Sequence, residues 1–461
     1  MPPQSQDGLR WEHELLDLVP EWTRDPSIAA IEEVCRQELG IPSEEACDVA
    51  FHASGLFNKL YTVKGANGPS RIMRVSLPVY PHHKTRAEVA TLRWVRDNTS
   101  IPVPEVFAFD DSNDNPIGFE WILMELMEGM PAHTRWRGMT MEQKVALTEQ
   151  MARFQAELSG FGKTESLFRS IGTLDILRVE TDGVEEMKGV APSLMVSPEF
   201  FIGDRLHYDN IPRGPFRSSH DWLSAVLGII LRHQTAILET SEDEDDIEDA
   251  EKVSSVAQKL LAHLPSVFPL PSPEEPEPES ETTALYHHDL HLNNILVDEQ
   301  GKITAVLDWE CVSALPLWVT SIFPKFLEGP VREDQPQRDH YMDAAAAAAA
   351  APAPADDDDD SSSKPHVSTT ASAVGDLCLE DEDREKNELY YIHTMEYEAT
   401  QLRKIYEAKL KELWPEWPLE ENLSKVDLFQ AISQCDGMWV KQVERWVDRV
   451  GKGEKVRFDQ S

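Results

Sequence analysis

In the stretch YHHDLHLNNILVDEQGKITAVLDWE, residues 286–310, two carboxylates and an amide stand at spacings that can do chemistry. His287, Asp289, Leu290 and Asn294 spell H-x-D-L-x-x-x-N, and Asp308 follows the second of two short apolar runs downstream. If those runs pair, Asp289 and Asn294, which precede the first, come close to Asp308, which follows the second. Taking two like charges out of water raises one carboxyl pKa sharply unless cations neutralise them, so the arrangement is costly as structure and sensible as a magnesium site. Asn294 and Asp308 are then the natural metal ligands. Asp289 is left to accept a proton from a substrate hydroxyl.

The elements that must position these groups are legible to different degrees. Residues 295–297 and 303–307 are rich in β-branched side chains, and the Asp298 to Lys302 segment between them offers Gly301 for a turn, which predicts a β hairpin. Upstream, residues 9–40 carry apolar side chains at helical intervals (Leu15, Leu18, Val19, Trp22, then Ile28, Ile31, Val34, Leu39), so 1–45 reads as a helical extension. Residues 46–130 read as a small antiparallel sheet with one helix. It comprises a strand, tight turn and strand over 50–63, an Asn67-Gly68 hairpin signal before a strand at 71–75, a helix at 83–97, and strands at 101–109 and 121–127. Pro102 and Pro104 interrupt the first of that last pair.

A larger part, 131–330, is predicted to hold helices at 141–159, 221–238 and 253–264, an irregular segment at 172–217 and an acidic insert near 240–282. Between 331 and 381 an Ala run with Pro352 and Pro354, an Asp run and a Ser/Thr tail predict a disordered insert. About 50 flexible residues span roughly 40 Å, and closing such a loop costs little because its entropy grows only logarithmically. The chain is therefore expected to resume in the same domain, with helices at 384–413 and 423–450 in a C-terminal part, 382–461, that packs on the large lobe. The fold class is α+β, with two lobes.

Composition narrows the function. The formal charge is −40, much of it in the runs at 241–251, 273–281, 356–360 and 379–385, which read as solvated loops. That balance argues against nonspecific nucleic-acid binding, which relies on Lys and Arg. Cys35, Cys47, Cys311, Cys378 and Cys435 are widely spaced and odd in number, so neither a disulfide framework nor a metal-ligand pair is indicated. No run approaches the ~20 apolar residues that cross a bilayer, and the acidic N-terminus has no signal-peptide core. A soluble, cytoplasmic protein without a membrane partner is expected.

The stretch at 286–310 resembles the catalytic and metal segments of the aminoglycoside phosphotransferase and choline kinase-like family, which shares the protein-kinase-like fold, and in particular its fungal branch. SGLFNKLYTV, EVATLRWVRDNTSIPVPEVFAFD and GFEWILMELMEGMP add to the resemblance, which covers most of 46–330 and the C-terminal helices. It implies a nucleotide-binding small lobe at 46–130, a catalytic large lobe, and ATP and magnesium as cofactors. Position by position it implies that Asp289 is the catalytic aspartate, that Asn294 and Asp308 hold the metal, and that His287 is the structural histidine of the loop. On the nucleotide side it implies Ser54, Gly55 and Asn58 at the phosphate loop, Arg74 with Glu88 on the phosphates, and Glu125 and Met127 at the strand and hinge that hold adenine. His291 is read as having a local structural role, ahead of the alternative of substrate contact.

The chain departs from the family in three places. His288 stands where Gly often follows the first His, Arg74 stands where protein kinases place a Lys, and the phosphate loop is poor in glycine. The expected activity is phosphoryl transfer from ATP to the hydroxyl of a small molecule. The alternative, motivated by Arg74 and that loop, is a catalytically degenerate binding or scaffold protein. A protein kinase is disfavoured, because no Ala-Pro-Glu segment follows Asp308.

Overall fold

The computed structural model describes residues 6–14, 17–160, 167–181, 184–270, 280–338, 340–341, 388–415 and 422–458. They fall into two compact units, one drawn from Met1–Lys325 and Tyr406–Ser461, the other from Phe326–Ile405.

The first unit opens with a hairpin, β1 (Leu9–Glu14) and β2 (Asp17–Trp22), followed by α1 (Ile28–Leu39). The helix expected across 9–22 is thus corrected to a pair of strands. Pro20 would break a helix interior, whereas here it faces Trp11 across the ladder. The hairpin also lets Leu9, Trp11 and Trp22 pack on the small-lobe core beside Ile31, Val34 and Cys35 of α1. Ser27 caps α1 and Gly40 ends it.

The small-lobe sheet is built from β3 (Cys47–Ser54), β4 (Asn58–Gly65), β5 (Arg71–Ser76), β6 (Val106–Asp110) and β7 (Glu120–Glu125). Their order is β3-β4-β5-β7-β6, antiparallel throughout. One long helix, α2 (His83–Asn98), joins β5 to β6. The strand read at 101–109 begins only at Val106, since the prolines before it have no N–H to pair. The carbonyl of Pro102 instead accepts from Val306 N at 2.9 Å.

The large lobe begins with β8 (Met130–Pro131), α3 (Ala132–Trp136) and α4 (Met141–Leu158), the last opened by a Thr140–Gln143 capping box. The segment expected to be irregular instead contains β9 (Gly172–Thr181) and β10 (Val184–Pro192), which pair antiparallel, followed by α5 (Pro198–Phe201). Leu174 and Ile176 alternate into the core from β9. Then come α6 (Ser219–Thr240) and α7 (Glu244–Val267). The acidic run at 241–251, read as loop, forms the start of α7: the Asp243 side chain accepts from Asp245 N, and Glu244, Asp245 and Asp246 fill the first turn. Negative charge there complements the positive end of the helix dipole. Residues 271–279 of the expected acidic insert lie outside the described residues.

Four more strands follow in the large lobe: β11 (Thr283–Tyr286), β12 (Ile295–Val297), β13 (Ile303–Val306) and β14 (Ser313–Pro316). They form the sheets β10-β9-β14-β11 and β13-β12-β8. After α8 (Glu388–Leu413), the long helix expected at 423–450 is two: α9 (Leu423–Ser433) and α10 (Val440–Val450). Cys435 is buried, Asp436 is held by Arg205 at 2.7 Å, and Gly437 lies in the break. Both helices pack with α6 and α7 in the large-lobe core.

In the second unit, Arg332 pairs with Glu396 at 2.9 Å, and Tyr341 lies 5.4 Å from Tyr390, ring to ring. The disordered insert expected at 331–381 lies, from residue 342 on, outside the described residues. Among the described residues no helix is long and apolar enough to cross a membrane.

Candidate active site

β11 is buried along its whole length and delivers its end to His287. The His287 ring donates from Nε2 to the Leu307 carbonyl at 2.9 Å, and its Nδ1 accepts from Asp289 N at 3.3 Å. Burial pushes its pKa down to about 4, against the pull of the Leu307 carbonyl, so the ring is a neutral staple between two chain segments. Leu307 N donates in turn to the Asn294 carbonyl at 2.8 Å. One peptide segment thereby ties the loop of Asp289 and Asn294 to Asp308.

The β12–β13 hairpin closes through Gly301, whose φ of +79° suits glycine. Asp308 itself sits at φ +63°, a conformation Asp tolerates better than most residues. Trp309 anchors the turn: its side chain is 1% exposed and its Nε1 donates to Val306 O at 2.9 Å.

Around Asp289, Lys325 Nζ lies 2.8 Å from Oδ1, while His291 Nε2 and Asn294 Nδ2 each lie 3.4 Å from Oδ2. Burial raises the Asp289 carboxyl, but the hydrogen bond and charge of Lys325 outweigh it and leave the pKa below the usual value. Asp289 therefore stands ionised. Asn294 spends its Nδ2 on Asp289, with 2.9 Å to the backbone oxygen, and among the described residues its Oδ1 accepts no hydrogen bond.

Across the cleft, Arg74 from β5 meets Glu88 of α2 at 3.3 Å, Asp308 at 3.2 Å and Glu310 at 2.7 Å. Lys84, one turn before Glu88, is 1% exposed and lies 2.5 Å from Glu310. Asn58 donates to Glu310 at 2.9 Å, and its oxygen accepts from Ser76 at 2.7 Å and Lys84 at 3.1 Å. Burial alone would weaken Arg74's hold on its proton, but Glu88, Glu310 and Asp308 together raise its pKa. Burial pushes Glu88 up to about 7. It would raise Glu310 too, yet Lys84 and Arg74 hold that carboxyl well below the ordinary range. For Asp308, burial and the charge of Glu310 prevail over Arg74 and raise the pKa.

The cluster thus sets three carboxyl groups, Glu88 among them with its pKa pushed up to about 7, against two cations, and its open side lies at Asp308, which is 32% exposed. A partly exposed carboxylate and an amide oxygen without a donor among the described residues suit magnesium, which keeps several waters and takes other ligands from phosphate. Among the described residues no group of three or more His, Cys, Asp or Glu could hold a metal. A site of that richer kind is not what the donor set offers.

The nucleotide-side expectations are placed unequally. Arg74 and Glu88 meet each other and Asp308. Ser54 and Gly55 lie exposed at the β3–β4 turn, where Gly55 N donates to Asn58 O at 2.9 Å. Asn58 is buried, with both ends of its amide committed. Glu125 ends β7, where it accepts from Glu105 N at 3.2 Å and faces Arg96 at 3.7 Å. Met127, just beyond, is half-buried. Neither touches the carboxylate cluster: Glu125 pairs with Arg71 in the sheet, three residues from Arg74 and therefore ~10 Å away.

Three participants went unassigned from sequence. Glu310 lies two residues after Asp308, and Lys84 lies four before Glu88 on one helix face, a spacing that signals a shared surface. Lys325 carries no local signal.

The family described as phosphotransferase enzyme family matches residues 48–319. A subtelomeric hrmA-associated cluster protein of Aspergillus fumigatus is 28% identical over 314 residues, 60% of this chain and 60% of that protein. The altered inheritance of mitochondria protein 9, mitochondrial, of Yarrowia lipolytica is 23% identical over 296 residues, 57% of this chain and 48% of that one. The chain therefore spans about three fifths of the length of the first of these relatives and about half that of the second. Among solved structures, a Plasmodium vivax ethanolamine kinase aligns with a TM-score of 0.32 at 10% identity, over 92% of this chain and 86% of that one.

Proposed function

Because the chain belongs to the phosphotransferase enzyme family, we propose that it transfers the γ-phosphoryl group of ATP, with magnesium, to a hydroxyl of a small molecule. The observation that carries this reading is the junction at Leu307, whose N–H and carbonyl bind Asn294 and His287 and so bring Asp289, Asn294 and Asp308 to one place.

In this reading Asp289 orients the acceptor hydroxyl and takes its proton. Asn294 Oδ1 and Asp308 would hold magnesium, which when bound supplies charge neutralisation between the phosphates. Arg74, kept in place by Glu88 and Glu310, bears on the nucleotide phosphates, with Ser54 and Gly55 at the rim of the loop above them. Asn58 contributes by holding Glu310, and the β7 end at Glu125 and Met127 receives the base. Such catalysis is mostly positioning and charge stabilisation. The protein is proposed to act in the cytoplasm on a soluble substrate, with neither nucleic acid nor membrane as partner.

The test is turnover in a screen of hydroxylated metabolites with Mg-ATP. Asp289→Asn should lower the rate on a true acceptor by about 10²–10⁴-fold, and Asp308→Asn by a comparable factor. An Asp289→Asn protein that turns over at the wild-type rate refutes the assignment. Absence of thermal stabilisation at millimolar Mg-ATP favours a binding or scaffold protein instead.

A further inference from the structure

We infer that Lys325 is a second functional cation of the site, held on Asp289 in the resting protein and passed to the transferring phosphoryl group when an acceptor hydroxyl arrives. This rests on the phosphotransferase reading and adds to it a residue that no motif marks.

Positive charge in the site differs in its freedom to move. Arg74 is 9% exposed and bound to three carboxylates, and Lys84 is 1% exposed and bound to Glu310 and Asn58. Neither can leave its partners without stranding a buried charge. Lys325 differs on each count: its side chain is 46% exposed, and among the described residues its ion pair is with Asp289 alone. The ammonium half of this pair is open to water, which screens it, so exchanging one anionic partner for another costs little, and four methylenes give the ammonium room to swing.

Geometry then fixes what it would meet. A general base must come within about 2.6–3.2 Å of the oxygen it deprotonates, and Lys325 Nζ occupies that distance from Asp289 Oδ1 at 2.8 Å. The other carboxylate oxygen is taken by Asn294 and His291. An incoming hydroxyl therefore meets Lys325 at Oδ1, and in this inference takes its place there. The reacting phosphorus stands about 3–3.5 Å from the attacking oxygen, within reach of the displaced ammonium.

The step balances without a further reactant. As the bond from the acceptor oxygen to the γ-phosphorus forms, the bond from that phosphorus to the β–γ bridging oxygen breaks, and its electron pair leaves with ADP. The acceptor proton passes to Asp289 Oδ1. Lys325 stays protonated throughout and offsets the charge spread over the phosphoryl oxygens.

The acceptor being unidentified, the test uses Mg-ADP alone and Mg-ADP with aluminium fluoride, a mimic of the phosphoryl group in transfer, titrated into the full chain by calorimetry. Lys325→Met should bind Mg-ADP within about twofold of wild type, which also reports that it is folded, yet lose about tenfold or more of the affinity gained with aluminium fluoride. Lys325→Arg should keep most of that gain, and Mg-ATP hydrolysis to water should fall in parallel with its loss. A Lys325→Met protein that retains the full gain, or hydrolyses Mg-ATP faster, overturns the inference: Lys325 is then a clamp on the base. Wild-type protein that does not bind Mg-ADP overturns the phosphotransferase reading itself and this inference with it, and is distinguished by failing before any substitution is made.

Discussion

Glu120, at the start of β7, is 1% exposed and accepts from His82 N at 2.7 Å. Burial pushes its pKa up to about 7 in spite of that hydrogen bond and the nearby charge of Lys84. Between about pH 4.5 and 7 the unfolded chain has released a proton that the folded chain still holds, so this residue's contribution is full below the lower value and is lost as pH rises through the upper. Glu120→Gln should remove that loss. Relative to wild type, the variant is expected to gain on the order of 3 kcal/mol between pH 4.5 and 8, measured by urea unfolding at each pH. Nothing in the sequence around Glu120 marks it, because its burial depends on β7 lying in mid-sheet. The same limit hid Lys325, which meets Asp289 across 36 residues. Asp289, Asn294 and Asp308 could be singled out because a loop and one hairpin suffice to gather them. Lys84 and Glu310 were within reach of the same reasoning, since each sits one turn or less from a residue already chosen.

Gly129 stands between β7 and β8, where the small lobe passes into the large. Its φ is +123°, and a Cβ there would meet Thr304 Oγ1 and the Val297 carbonyl of the β12–β13 hairpin. Gly129→Ala should therefore cost about 1–3 kcal/mol and shift the hairpin that carries Asp308, with both effects visible as a lowered Tm and weaker Mg-ADP binding. Strands with turn chemistry were legible at this scale: Gly301 and the Asn67-Gly68 pair announced their hairpins. The β9–β10 pair also had a signal, Asp182-Gly183 between two apolar runs, although those two residues lie outside the described residues. The N-terminal hairpin was misread because spacing of 15, 18, 19 and 22 satisfied a helical template while Pro20 argued against it. The helix at 423–450 was read too long because periodicity persists across the break, where burial of Cys435 and the Arg205–Asp436 pair bend the chain.

Over the whole first unit, the architecture followed from order: a strand-rich part, a hinge and a helical part can be read along the chain, and the α+β class needs no more. How the parts grip each other could not be read, because the polar part of that grip centres on a carboxylate distant in sequence from its partners. Glu310 belongs to the large lobe, whereas Asn58, Arg74 and Lys84 belong to β4, β5 and α2 of the small one. Removing its charge leaves two buried cations short of a partner, which costs about 3–5 kcal/mol. The further consequence concerns cooperativity. With Glu310 in place neither lobe can lose its structure without stranding charges in the other, so peptides from β3–β5 and from α6–α7 should lose hydrogen-exchange protection at one urea concentration. In Glu310→Gln the two sets should part, the small lobe opening first as a separate foldon, while coincident curves in the variant would show that apolar packing alone makes the lobes melt as one.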